Sequence, residues 1–460
     1  MRLNLSIALV ILIAVNSWSG PALALTNPCD PEFVEIDGAG FFLRPSGNDD
    51  TDNVQCALDS AVDQNIALVS LGAGSFQVTS LRVSNFKGEF KGQSKSRTTL
   101  LLASEGDQCL SQGLAGGSNR GIVFYNGNVK VSSMTIEMSE SCDHWYIALN
   151  FRPASCDERT LFANIDRVSF IGKPSSKRQS ETGSNRAISF GYSDDGCAYE
   201  GAGALGQLKI NRSTFDEFDV ATDYRVWGKG EVTISTNEFT NVLLGILSTG
   251  SNAVSAIRNN KFFLGNRRRD SGVTHSHGAV TIYDYIGDEF PLRNRTSLDS
   301  NRVVFQSETP GFGFQVSTRY SDEWQACRNS SACDESIPYK EHPITVADNT
   351  FNMKVPDQLL EPEDYCFFFC LSVDIDSGDA SAVVSNNSFA GSYASALNVY
   401  SSVGAAFGNV FRGNAMVRSD PFWDYETASH CALPVPTLPS GLSLYECEQG
   451  HVWDDREYFQ

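Results

Sequence analysis

The stretch 231–265, EVTISTNEFTNVLLGILSTGSNAVSAIRNNKFFLG, carries one short pattern twice: an apolar alternation closed by Asn-x-Phe. Val232 and Ile234 lead into Asn237-Glu-Phe239, and Val254 and Ile257 lead into Asn260-Lys-Phe262, so the two phenylalanines stand 23 residues apart. Alternation with period two makes strands rather than helices. Strands this short, recurring at a fixed period in the low twenties, bury their apolar faces only against their own repeats, and the chain coils on itself as a β-solenoid.

The same motif supplies a ruler. Variants close at Phe170, Phe215, Phe239, Phe262, Phe305, Phe351, Phe389 and Phe411. Steps of 24, 23 and 22 residues are single coils, whereas steps of 45, 43, 46 and 38 are read as one coil plus a long loop. The loops fall at 173–184, 265–278, 306–310, 320–343 and 352–365, each polar and without strand alternation. In a solenoid, insertions project from the stack and build the walls of a binding face. The motif's asparagine is read as structural, since stacked amides at a coil corner bond neighbouring backbone.

Residues 1–24 read as a signal peptide, with an apolar run from Ile7 to Val15 and small residues at Ala22 and Ala24; the protein is expected to be exported, periplasmic or extracellular. Residues 25–66 follow as an N-terminal strand and capping helix, in which Asp50, Thr51 or Asp52 caps an apolar side of Val54, Ala57, Leu58, Ala61 and Val62. Residues 67–415 are the solenoid. From 416 to 460 the alternation fails, and Pro421, Pro434, Pro436 and Pro439 are expected to forbid strands. This tail is assigned as a cap on the last coil.

The order Asp49-Asp-Thr51, a helix, Leu71-Gly-Ala-Gly-Ser-Phe76, then Phe90-Lys-Gly-Gln93 and Thr98-Thr-Leu100 resembles the first turns of the right-handed parallel β-helix proteins of the pectate lyase (pectin lyase-fold) superfamily. The resemblance implies an all-β, right-handed parallel β-helix over roughly residues 45 to 415. It does not select a reaction, because proteins related in this way include lyases, hydrolases, epimerases and non-catalytic adhesins.

A formal charge of −20 disfavours nucleic acid and acidic membrane as partners, because phosphate binding needs a basic footprint. No apolar run after the first approaches a membrane span. Twelve cysteines fit an oxidising compartment. Local pairs are drawn for Cys142 with Cys156, Cys327 with Cys333, and Cys431 with Cys447, while Cys366 and Cys370, four apart on a strand, are about 13 Å apart and too distant to bond.

The strand ahead of each Asn-x-Phe segment carries the candidate chemistry. Inward positions are Ile147 and Leu149, Ile188 and Phe190, Tyr224 and Val226, Ile246, Val280 and Ile282, Phe314 and Val316, Leu371, Val373 and Ile375, and Leu397 and Val399. Period-two geometry then turns one outer face of Tyr146, Asn150 and Arg152; Ser189; Asp223, Arg225 and Trp227; Thr249; Thr281 and Tyr283; Gln315, Ser317 and Arg319; Ser372, Asp374 and Asp376; Asn398 and Tyr400. Aromatic faces stack on sugar rings while carboxylates, amides and guanidiniums bond hydroxyls and carboxylates, so polysaccharide is the expected partner.

Cleavage by β-elimination needs a cation at the substrate carboxylate and a base for its neighbouring proton, for which Arg225, Arg319 and Tyr283 are the candidates. Hydrolysis needs two flanking carboxylates: Asp223 with Asp284, about 9.6 Å across two coils, or Asp374 with Asp376, about 6.7 Å along a strand. Tyr146, Arg152, Trp227, Gln315, Asn398 and Tyr400 are assigned to substrate contact, with His275 and His277 at a coil entrance. No cofactor is required; calcium would find two of its oxygens in Asp374 and Asp376. The chain is therefore expected to bind and cleave a polysaccharide, uronate-containing, by elimination or hydrolysis. The alternative is a non-catalytic carbohydrate-binding, adhesive or structural surface protein.

Overall fold

The structure, a computed structural model, describes residues 26–102, 119–138, 146–155, 160–173, 185–191, 205–226, 230–265, 277–286, 295–305, 311–320, 344–354, 371–392 and 395–412, apart from positions 39, 252 and 408, together with three short strands beyond 432. The signal segment, His275, Trp227 and the six cysteines paired above lie outside the described residues.

Each coil contributes one strand to each of three parallel sheets. Sheet A runs from Leu81–Ser84 and Asn119–Tyr125 through Tyr146–Arg152, Asn185–Phe190, Val220–Tyr224, Leu244–Ser251, His277–Ile286 and Gly311–Tyr320 to the first parts of Leu371–Ser385 and Ser395–Phe407. Sheet B stacks, among others, Leu205–Asn211, Glu231–Ser235, Val254–Arg258, Arg295–Asp299 and Ile344–Ala347. Sheet C stacks Thr214–Asp216, Glu238–Thr240, Lys261–Leu264, Arg302–Phe305, Thr350–Lys354 and Ser388–Ser392. The molecule is an all-β parallel β-helix, and every long step of the ruler is one coil, since successive strands of sheet C pair directly across it.

The asparagine corner lies between sheets B and C. Asn260 donates its backbone N–H and its side-chain Nδ2 to Asn301 Oδ1, both at 3.0 Å, and Nδ2 also reaches Ile234 O at 2.9 Å. The same bonds repeat from Asn237 through Asn301, Asn349 and Asn387 to Asn409. These amides are buried, so the ladder satisfies polar groups that burial would otherwise leave costly. The residue ahead of each, Thr236, Asn259, Ser300, Asp348 or Asn386, takes a φ between 55° and 60°, which turns the corner within two residues.

Phenylalanines stack beside the ladder: Phe170, Phe215, Phe239 and Phe262 have ring centroids 5.0, 4.8 and 4.6 Å apart. Here the ruler needs one correction. Phe262 aligns with Val303, and Val303 with Phe351, so Phe305 is not the next rung. The asparagines keep true register, with sequence steps of 23, 41, 48, 38 and 22.

Both ends are covered. At the start, Val34–Asp37 pairs antiparallel with Gly40–Leu43, and helix α1 (Thr51–Asp63) lays Val54, Ala57, Leu58 and Ala61 into the core. Asp50 occupies the N-cap position but accepts from Ser46 N and Gln77 N instead of capping α1, tying the helix entry to sheet C. A disulfide joins Cys29 to Cys56 on α1, a pair the spacing argument did not draw. At the far end Val452–Asp454 pairs antiparallel with Ser395–Phe407, and Leu433–Val435 and Leu444–Glu446 extend the addition. Pro434, expected to forbid a strand, lies within Leu433–Val435; among the described residues its one partner strand is Leu444–Glu446, and an edge tolerates a missing N–H.

Connections between B and C are short, as at 236–237, 259–260 and 300–301, while the long ones at 174–184, 266–276, 306–310 and 355–370 enter sheet A and those at 192–204, 287–294 and 321–343 leave it. The strands of sheet A are thus the ones that long connections join at both ends.

Candidate functional site

Sheet A aligns the candidate residues in two register columns. The first runs Val123, Asn150, Ser189, Asp223, Leu247, Thr281, Gln315, Asp374 and Asn398. The second, two residues on, brings Thr249, Tyr283, Ser317, Asp376 and Tyr400 into line. Arg152 aligns with Tyr125 of the coil below, and its guanidinium stands 6.0 Å from that ring centroid.

Alternation holds from Leu149 onward but breaks just before it. Tyr146, Ala148 and Leu149 all belong to the continuous apolar core, whereas Ile147, itself buried, does not. Two inward residues in succession, as in a bulge, reverse the faces ahead of them. The break recurs in each coil at a column of small residues: Gly121, Ala148, Ala187, Ala221, Gly245 and Ala279. At Gly245 an added Cβ would stand 2.7 Å from the Phe262 ring, so the inner face there has no room for a larger side chain. At Gly278, one place earlier than the small column, an added Cβ would meet Thr281 Oγ1 at 3.2 Å, which puts that position on the outer face.

This corrects two assignments. Tyr146, expected on the outer face, is a core residue: its hydroxyl is buried without a hydrogen-bond partner, and burial pushes its phenol well above the usual range despite Arg82 nearby. Ile147, expected inside, lies outside in register with Arg186 and Val220. Arg186 was missed, and it pairs with Asp223, its Nη1 donating to Oδ2. The signal was the small residue that follows it, Ala187, which shifts the phase of the alternation.

Four polar residues of the outer column are buried. Asp223 is 0% exposed, Asn150 1%, Ser189 2% and Thr281 5%. The outward residues of sheet B differ: Lys209 and Thr233 are half-buried, and Glu231 and Arg258 are exposed. Other outer positions of sheet A are accessible: Arg82 and Ser84 on the first strand are exposed, Tyr125 and Arg186 are half-buried, and Arg225, Leu244, Leu247, Gln315 and Asp374 further along are half-buried. Gln315 Nε2 donates to Asp374 Oδ2 at 3.4 Å. An apolar floor of Leu244 and Leu247 therefore lies between the Arg186–Asp223 pair on one side and the Thr281, Gln315 and Asp374 amide–carboxylate run on the other.

The proposed hydrolytic pair Asp223 and Asp284 is not in register. Asp223 aligns through Leu247 with Thr281, three places before Asp284, and Asp284 itself pairs with Ser251 and Thr318. Arg319 aligns with Tyr285 rather than Tyr283, and His277 with Gly311 at the strand entrance. Asp374 and Asp376 lie two residues apart against Gln315 and Ser317. Among the described residues no group of three or more His, Cys, Asp or Glu side chains converges as a metal site, and no described helix is long and apolar enough to cross a membrane.

No family model and no curated protein matches the sequence. Among solved structures the chain is similar to PfbA, a surface adhesin of Streptococcus pneumoniae, with 12% identity, a TM-score of 0.45, and coverage of 88% of this chain and 96% of that one. ORF18 of Geobacillus virus E2 shows 11% identity, a TM-score of 0.34, and coverage of 81% and 59%. Tailspike protein 3 of bacteriophage CBA120 shows 13% identity, a TM-score of 0.23, and coverage of 90% and 70%. No residue role follows from likeness at these values.

Proposed function

We propose that this chain is an exported protein that binds a polysaccharide along the outer face of sheet A. The observation that carries the reading is the coincidence of two features on one sheet. It holds the aligned column of amide, hydroxyl and carboxylate residues, and its strands are the ones that long connections join at both ends. From Asp223 to Asp374 that column crosses four strand spacings, about 19 Å, which suits an extended polymer better than a compact ligand. Leu244 and Leu247 offer an apolar floor for a sugar ring, with Arg225, Gln315 and Asp374 beside it for its hydroxyls.

A second reading is cleavage, of a uronate-containing polymer in particular. It is favoured by Asp374 and Asp376, whose spacing of about 6.7 Å lies in the range that inverting hydrolysis needs, and by Tyr283 and Arg225 near the same strip for elimination. Calcium belongs to this reading, with Asp374 and Asp376 as its ligands.

A substrate panel decides between the two, read for ultraviolet-absorbing unsaturated ends and for new reducing ends, with and without a chelator, beside retention on the same immobilised polymers. Retention without turnover is the expected result. Arg225→Ala should weaken retention about tenfold, on the order of 1.4 kcal/mol, with the thermal midpoint unchanged. Full retention in both Arg225→Ala and Tyr283→Phe would remove this strip as the binding face. Turnover lost in Asp374→Asn would move the protein to the enzymes.

A further inference from the structure

The outer face of sheet B carries an exposed aromatic ring among lysines. Among the described residues two large apolar side chains are exposed, Phe162 at 40% and Val254 at 41%. Both lie in one register column of sheet B, which runs from Asn128 through Phe162, Gln207 and Glu231 to Val254. The ring is reachable, because Asn128 on one side of it is exposed and Gln207 on the other is only half-buried. Two residues further along, Lys130 and Lys209 flank Asn164 in the next outward column. Each lysine stands about 8 Å from Phe162 in the plane of the sheet, one strand across and two residues along, and the two lysines are about 9.6 Å apart.

The charge of this region is opposite in sign to that of the chain. On four successive strands, from Lys87–Lys91 to Leu205–Asn211, the outward positions hold Lys87, Lys91, Lys130 and Lys209 against two carboxylates, Glu89 and Asp166. Arg167 and Arg212, on left-handed corners at the edge of the same sheet, have side chains 55% and 60% exposed. Both carboxylates are engaged from within the patch. Glu89 accepts from Ser132 Oγ at 2.6 Å and from Lys130 Nζ at 3.0 Å, and Asp166, its side chain 8% exposed, accepts from both arginines. Six cations against two carboxylates in a chain of formal charge −20 make a local reversal, which steers a polyanion to this face and away from the acidic remainder.

We propose that this part of sheet B is a second binding face, for an acidic polysaccharide, with a sugar ring stacked on Phe162 and its carboxylate or sulfate groups paired with Lys130 and Lys209. Stacking takes the apolar face of the sugar and the exposed ring out of water together, and the amides of Asn128 and Gln207 supply donors and acceptors for hydroxyls. Lys130 has three donors, so its bond to Glu89 leaves others for a ligand. Single-stranded nucleic acid also stacks on aromatic rings, but it uses a succession of them along a basic groove. One ring with cations set diagonally from it suits a polymer whose charges are sparser. The proposal does not rest on the sheet A reading, since the two faces belong to different sheets of the coil and either stands without the other.

The test is retention of the full chain on immobilised polygalacturonate and chondroitin sulfate, beside uncharged dextran and oligothymidine, at low and high salt. Retention on the two acidic glycans that weakens with salt is the expected result. Lys130→Gln with Lys209→Gln should lower affinity for both about tenfold, and Phe162→Ala about fivefold. Lys261→Gln with Arg302→Gln removes the same charge from exposed positions on sheet C and should change affinity less than about twofold. Retention on neither acidic glycan, or equal retention on dextran, overturns the proposal. Tighter binding to oligothymidine overturns it in favour of nucleic acid. Equal losses in the sheet B and sheet C pairs also overturn it, by reducing the effect to net charge, and unchanged affinity in Phe162→Ala overturns the stacking. Arg225→Ala reads sheet A: a loss there with none in the lysine pair moves the polyanion to sheet A, whereas the reverse supports sheet B whatever sheet A binds.

Discussion

Asn260 is at the centre of the corner ladder and shows how a single side chain holds a coil in place. Its side chain donates two hydrogen bonds and accepts two, and its backbone N–H donates a third, all within a buried column. Asn260→Ala leaves Asn237 N–H and Ile234 O without partners, and a loss of about 2–4 kcal/mol is expected by denaturant titration. Tyr146 is the opposite case, a buried hydroxyl that bonds nothing. Tyr146→Phe should therefore be neutral or stabilising by up to about 1 kcal/mol, and a marked drop in midpoint would return this side chain to a polar role. Asp223→Ala removes a buried carboxylate from the Arg186 guanidinium, whose side chain is only 12% exposed, and should cost about 3–5 kcal/mol; urea melts of the variant and of Asp223→Ala with Arg186→Met would show the second substitution restoring most of it.

Each coil is secured differently at its three corners. The B–C corner turns on a left-handed residue followed by an asparagine, and its geometry repeats closely enough for phenylalanine rings to stack at interplanar angles of 2°, 6° and 7°. The two corners that flank sheet A carry connections of varying length, and among the described residues no equivalent ladder runs there. At the base, the Cys29–Cys56 bridge spans a sequence separation of 27 and ties the N-terminal segment to α1. By loop-closure entropy it contributes about 3–4 kcal/mol. Cys29→Ser with Cys56→Ser should lower the thermal midpoint, and the unsubstituted protein should show the same shift on reduction; no shift in either would show that the cap holds without the bridge.

Across the whole molecule, stacking makes each coil depend on its neighbours, so the ends need covers and a side facing solvent can vary. The parallel β-helix, the coil length, the reading of each long step as one coil and the structural asparagine were all legible in the chain, because a repeat writes the same local physics many times over. The alignment Asn150, Ser189, Asp223, Thr281, Gln315, Asp374, Asn398 was legible for the same reason, as period-two alternation fixes which residues share a face. Three things were not. Ile147 and Tyr146 exchanged faces because a column of small residues allows two consecutive inward positions, and that depends on how closely Phe262 approaches Gly245 from another sheet. Cys29 found Cys56 through the docking of α1 under the first coil, which no spacing rule encodes. The ion pair of Asp223 with Arg186 joins residues 37 apart in the chain, and the burial of Asn150 depends on packing between coils. By itself the sequence determined the repeat and therefore the fold, since both are set by neighbours in the chain; which polar groups are sheltered, paired or left with an unused acceptor was decided by packing between coils, where distance along the chain carries no information.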